Sequence, residues 1–140
     1  MAWSATKAER VIGIVIVAHG RLAEEYRAAM EHVVGPQEAV RTVVITADDD
    51  RSAKQAEICD AADAVDDGSG VVLVVDMFGG SPSNLSIKAC NPQNRRILYG
   101  ANLPMLIKLA KSRHRPVPDA VEAALKAAHK YIDSMSVGAP

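Results

Sequence analysis

The chain has 140 residues, 49% of them hydrophobic but only 4% aromatic, so one domain with a core of Ala, Val, Ile and Leu is expected. Sixteen basic residues against seventeen acidic ones leave a formal net charge of −1, which supplies no electrostatic footprint for nucleic acid or for an anionic membrane. No apolar run is long enough for direct membrane insertion, no cleavable signal is visible, and Cys59 and Cys90 match no metal or redox spacing, so free buried thiols of a cytoplasmic protein are expected.

Residues 1–10 read as a polar lead-in, 11–134 as a single α/β domain and 135–140 as a tail. A first strand over 11–18 is rich in β-branched residues and free of charge until His19, which arrives where the strand leaves the sheet. Gly20 follows with the backbone freedom that a tight turn into a helix requires. That helix is predicted over 21–34, with Leu22, Tyr26, Ala29, Met30 and Val33 on one face, and it stops at Gly35-Pro36. "VRTVVIT" (40–46) is the second strand, and one carboxylate of Asp48-Asp49-Asp50 caps a helix over 51–66. "GVVLVVD" (70–76) is the third strand, as apolar as the first. The loop "MFGGSPSN" leads to a helix over 83–90, "RRILYG" is the fourth strand, and helices over 103–112 and 117–132 complete the chain.

Strands alternating with helices predict an open, mostly parallel sheet in the order 2-1-3-4 with helices on both faces. Ligands of such sheets bind beyond the carboxyl ends of the strands, where the winding direction reverses. Here the reversal falls between strands one and three, which brings His19 and Asp76 to one crevice.

The loop after strand three adds to the pair. Gly79-Gly80 lets backbone approach a ligand closely, and Ser81 before Pro82 is a helix-start signature whose free N–H groups suit an anion such as phosphate. A bond from the imidazole Nδ1–H to Asp76 would fix the tautomer and leave Nε2 nucleophilic. No G-x-x-x-x-G-K-[ST] motif is present, so nothing suggests a nucleotide, and no cofactor or metal is expected. Each part taken alone has a plain structural reading: a hydrogen-bonded histidine, a capping aspartate, a glycine turn. Their convergence at one predicted crevice favours a site. His32, Cys90 and His129 read as structural or surface residues, and His114 in "KSRHR" as a solvated helix end or a dock for an acidic partner.

Three stretches in this order and spacing, "IVIVAHG", "VDMFGGSPSN" and "GANLPML", resemble the IIA component of the mannose family of the bacterial phosphoenolpyruvate-dependent sugar phosphotransferase system. The resemblance runs from about Ile12 to Arg113. It implies a histidine phosphoryl carrier, a component of a phosphotransferase. In that role His19 would accept phosphate from the phosphocarrier HPr and pass it to a histidine or cysteine of a IIB component. It further implies that Asp76 orients the phosphorylated ring, that Gly79, Gly80 and Ser81 face the phosphoryl group, and that Phe78 walls the crevice. Asn102, Pro104 and Met105 match the segment that borders the site. Family members are typically homodimers, in some cases with an exchanged C-terminal strand, whereas the residues after His114 here read mainly as helix with no clear strand.

Three functions are therefore weighed. One is a relay of phosphate toward a sugar permease. A second is a regulatory module in which the phosphorylation state of His19 controls a partner without sugar transport; with no fused IIB domain before residue 140, the chain is expected to act in trans in either role. A third is a hydrolase or small-ligand binder, for which one histidine and one aspartate are thin equipment. Attack by His19 needs a neutral ring, so transfer is expected to fall at low pH.

Overall fold

The computed structural model describes residues 10–77 and 94–138. Four strands, β1 (Gly13–His19), β2 (Val40–Ile45), β3 (Val71–Val75) and β4 (Arg95–Tyr99), form one sheet in the order β2-β1-β3-β4. Every pairing is parallel, with Val17 beside Val43 on one side and Val75 on the other, and Val75 beside Tyr99. The described helices are α1 (Leu22–Val34), α2 (Arg51–Val65), α3 (Leu103–Lys111) and α4 (Val117–Lys130). This is the architecture that the alternation of elements predicts.

The two inner strands, β1 and β3, are buried along almost their whole length, which is why both read as unbroken apolar runs. Their side chains alternate between two cores. Ile14, Ile16, Val72 and Val74 face α1, α3 and α4, and Val15, Val17, Leu73 and Val75 face Ile58, Ala62 and Val65 of α2. The approach of α2 is close at Gly13, where a Cβ would collide with the carbonyl oxygen and a methyl of Val65. Helices therefore cover both faces.

Most boundaries fall within a residue or two of expectation. β1 continues through His19, and α4 ends at Lys130. The inward face of α1 differs from the expected one. Ala23 and Met30 are buried, with Tyr26 and Val34 packed beside them, whereas Leu22 and Val33 are exposed. A small residue at 23 lets the helix lie close to the sheet, and that turns Leu22 outward. Cys59 is partly buried against the α2-side core, and His32, His114 and His129 are exposed. The expected helix over 83–90, and with it Phe78, Gly79, Gly80, Ser81 and Cys90, lies outside the described residues.

At the amino end of the sheet charges are tied down. The guanidinium of Arg113, 4% exposed, donates to the carbonyls of Ile12 (2.8 Å) and Ala39 (2.9 Å) and to Gln37 Oε1 (3.1 Å). Burial lowers its pKa to about 10, against opposing help from Asp67 and Glu38, so it stays charged at neutral pH. Asp67 accepts the Val11 N–H at 3.0 Å. Nearby, buried Arg95 reaches Asp63 at 2.7 Å and Asp66 at 3.2 Å. Burial opposes its charge, but the two carboxylates outweigh burial and hold its pKa above the ordinary value.

Candidate functional site

The carboxyl end carries the candidate site. β1 lies between β2 and β3, so its last residue emerges at the middle of the sheet, and Asp76 follows directly on the last residue of β3. The imidazole Nδ1 of His19 is 2.9 Å from Asp76 Oδ2, and the same oxygen accepts the main-chain N–H of His19 at 3.0 Å. One carboxylate oxygen thus anchors both the backbone and the ring. A carboxylate only accepts, so the proton sits on Nδ1 and the Nε2 lone pair is free. Nε2 has no partner among the described residues.

Burial separates the two groups. The side chain of His19 is 47% exposed and that of Asp76 only 11%. Burial pushes the Asp76 pKa up, but the N–H and ring of His19 outweigh it and hold the carboxyl below the usual carboxylate range. Asp76 is therefore a charged, largely shielded base plate beneath an accessible ring. Its second oxygen, Oδ1, is buried without a hydrogen-bond partner among the described residues.

An open crevice of about 630 Å³ lies beside the ring. It is lined by His19 and Gly20 after β1, Ile45 at the end of β2, and Thr46, Ala47, Asp49 and Arg51 leading into α2. Gly20 holds a φ of +56°, a conformation that favours glycine, and donates its N–H to the Ile45 carbonyl at 2.9 Å. The Asp49 carboxylate accepts the Thr46 N–H (2.6 Å) and hydroxyl (2.9 Å). Its pKa is lowered chiefly by the Thr46 N–H. Asp50 caps α2 by accepting the Ser52 N–H at 3.3 Å, as the acidic triplet predicts.

The structure places His19 beside Gly20 and Asp76 as the strand order predicts, and adds a wall from the β2–α2 turn that the sequence does not single out. The triplet reads as a cap, and only the Thr46–Asp49 spacing hints at a closed turn. Three residues expected at the border serve elsewhere in the described contacts. Asn102 Oδ1 caps α3 through the Met105 N–H (3.0 Å), and its Nδ2 donates to the Ala128 carbonyl (3.0 Å). Met105 is in the core, and Pro104 lines a groove with Ile107, Lys108 and Tyr131. None of the three lines the His19 crevice as described. No group of three His, Cys, Asp or Glu residues that could hold a metal occurs among the described residues, and no described helix is long and apolar enough to cross a membrane.

A family model described as the PTS system fructose IIA component matches residues 13–128. The mannose-specific EIIAB component of Escherichia coli (strain K12) is 28% identical over 103 residues, which is 73% of this chain and 32% of that protein. The chain thus spans about a third of the length of the curated relatives it matches. Among solved structures, the phosphotransferase system component EIIA of Streptococcus agalactiae superposes with a TM-score of 0.79 at 26% identity, over 88% of this chain and 96% of that one. The mannose/sorbose-specific IIA subunit of Enterococcus faecalis gives 0.81 at 24% identity, over 93% and 98%, a likeness of fold.

Proposed function

The chain belongs to the family of phosphotransferase-system IIA components, and from that premise we propose that His19 carries the phosphoryl group while Asp76 orients it. The observation that carries this reading is the 2.9 Å bond between Nδ1 and Asp76 Oδ2, because it leaves Nε2 as the nucleophile at an exposed strand end. The donor in this reading is a phosphohistidine of HPr. The Nε2 lone pair attacks phosphorus in line as the donor N–P bond breaks, and that bond's electron pair returns to the donor ring. The proton stays on Nδ1, so the His19 ring gains positive charge, which the Asp76 carboxylate offsets. Nucleophile and leaving group are alike, so the step rests on positioning and on stabilisation of the equatorial oxygens rather than on acid–base work.

In this reading Gly79, Gly80 and Ser81 donate neutral N–H and hydroxyl groups to those oxygens and Phe78 walls the crevice, while the described contacts of Asn102, Pro104 and Met105 lie elsewhere. The acceptor is a IIB component. The E. coli relative is an EIIAB component, and its name joins an A unit to a B unit. Tyr131, Ile132, Met135 and Val137 are exposed after α4, an apolar edge that supports pairing of two copies into a homodimer. The relay works in the cytoplasm, between HPr and the sugar permease. Labelled phospho-HPr should transfer one acid-labile phosphate per chain, and His19→Gln should take none. Equal labelling of the variant would move the acceptor to another residue.

A further inference from the structure

We propose that Arg51 is the cationic contact for the phosphoryl group on His19, a role that rests on the reading of His19 as the acceptor. A phosphoryl group brings about two negative charges to Nε2, and the charged group beneath the ring, Asp76, has the same sign. Arg51 is the only cation among the described residues that line the crevice beside His19. Asp48 also lies in that loop, and the charges nearest to Arg51 are committed. Asp49 holds Thr46, Asp50 caps Ser52, and Lys54 lies 3.8 Å from Asp49 and 2.8 Å from Glu57. Arg51 is exposed and makes no ion pair or side-chain hydrogen bond among the described residues. Arg21, close to His19 in sequence, instead lies 3.8 Å from Glu25 and does not line the crevice.

The position of Arg51 works against the helix it opens. As the first residue of α2 it sets a positive charge against the positive end of the helix dipole, and no acidic residue occupies that first turn. Asp48, Asp49 and Asp50 precede Arg51, yet none forms an ion pair with it among the described residues, and an anion in the crevice would supply a partner. The backbone that carries it is held by the Thr46–Asp49 turn and by the Gly20-to-Ile45 bond. The planar guanidinium offers paired N–H donors to phosphoryl oxygens, a geometry that an ammonium matches only as a point charge.

The test uses the full chain equilibrated with mixtures of HPr and phospho-HPr, reading the fraction of His19 phosphorylated and its ³¹P shift. Arg51→Ala should move the equilibrium away from His19 by roughly tenfold, about the worth of one exposed charge-assisted hydrogen bond. Arg51→Lys should restore part of it, and neither variant should melt below the parent. An Arg51→Ala protein with the parent's equilibrium and ³¹P shift overturns the proposal. So does one that loses only forward rate, because Arg51 would then be docking an acidic donor surface. A parent chain that takes no phosphate at all removes the reading of His19 itself.

Discussion

The two ends of the sheet use charge in opposite ways. At the amino end the charged groups are engaged with backbone or with opposite charges. Arg113 donates to Ile12, Gln37 and Ala39, Asp67 holds Val11, and Arg95 lies between Asp63 and Asp66. At the carboxyl end valences are left open: Nε2 of His19, Oδ1 of Asp76 and the guanidinium of Arg51 lack partners among the described residues. Burial alone does not separate the two ends, since Asp76 is nearly as shielded as the structural ion pairs. The distinguishing feature is that at the carboxyl end unused bonding capacity stands at an open crevice, where a ligand can complete it.

Substitutions at the two ends should therefore separate chemistry from stability. The largest effect is expected for His19→Ala, which should abolish phosphoryl uptake. Its melting temperature should stay close to the parent's, because the ring is half exposed at a strand end. A full loss of folding in that variant would make His19 a structural residue. Asp76→Asn comes next. The amide can offer its NH₂ to Nδ1 and favour the wrong tautomer, and it lacks the charge that offsets the phosphorylated ring. Loss of a comparable carboxylate costs about 10⁴ in a serine protease. Transfer between imidazoles needs no strong base, so a fall of roughly 10- to 10³-fold is expected by rapid quench. A destabilised variant with the parent's rate would assign Asp76 to the fold alone.

Arg113→Met inverts the pattern. It strands two carbonyls and Gln37 without their donor, for a loss of about 2–4 kcal/mol in a denaturant titration. Phosphoryl transfer per folded molecule should not change, and a slowed transfer step would show that the two ends are coupled. The smallest effect concerns acid. Asp67 and Asp76 both have folded pKa values below the ordinary carboxylate value; for Asp67 burial works the other way and is outweighed by hydrogen bonds from the Ser69 side chain and from the Ser69 and Val11 N–H groups. Their stabilisation is complete above about pH 4 and is lost as pH falls through the lowered folded values. Melting temperature should decline more gently in acid for Asp67→Asn than for the parent. An identical acid limb would deny Asp67 that contribution.

The sheet was legible because its inner strands have no choice. Strands buried on both faces must be apolar throughout, and β1 and β3 are the two such runs in the chain, so their adjacency and the reversal between them followed. His19 and Asp76 stood out as the first charged or titratable residues after those runs. The inward face of α1 was misread because periodicity weighs Leu22 above Ala23, whereas close packing on a sheet favours the smaller side chain. The β2–α2 wall escaped notice for another reason. In "TADDDRS" one aspartate closes a turn and another caps a helix, and only the folded turn shows which charge is left over. Asn102 has the converse lesson: it sits at the functional end, yet its described bonds belong to α3 and α4.

The central claim is that Asp76 keeps the proton on Nδ1 and so makes Nε2 the atom that accepts phosphate. Imidazole ¹⁵N spectra of the chain, recorded before and after phosphorylation by phospho-HPr, test it directly. The account predicts that the neutral form of the His19 ring carries its proton on Nδ1 in the free chain, and that phosphorus is coupled to Nε2 in the phosphorylated one. Phosphorus on Nδ1 would require the 2.9 Å bond to Asp76 to be broken and would contradict the account.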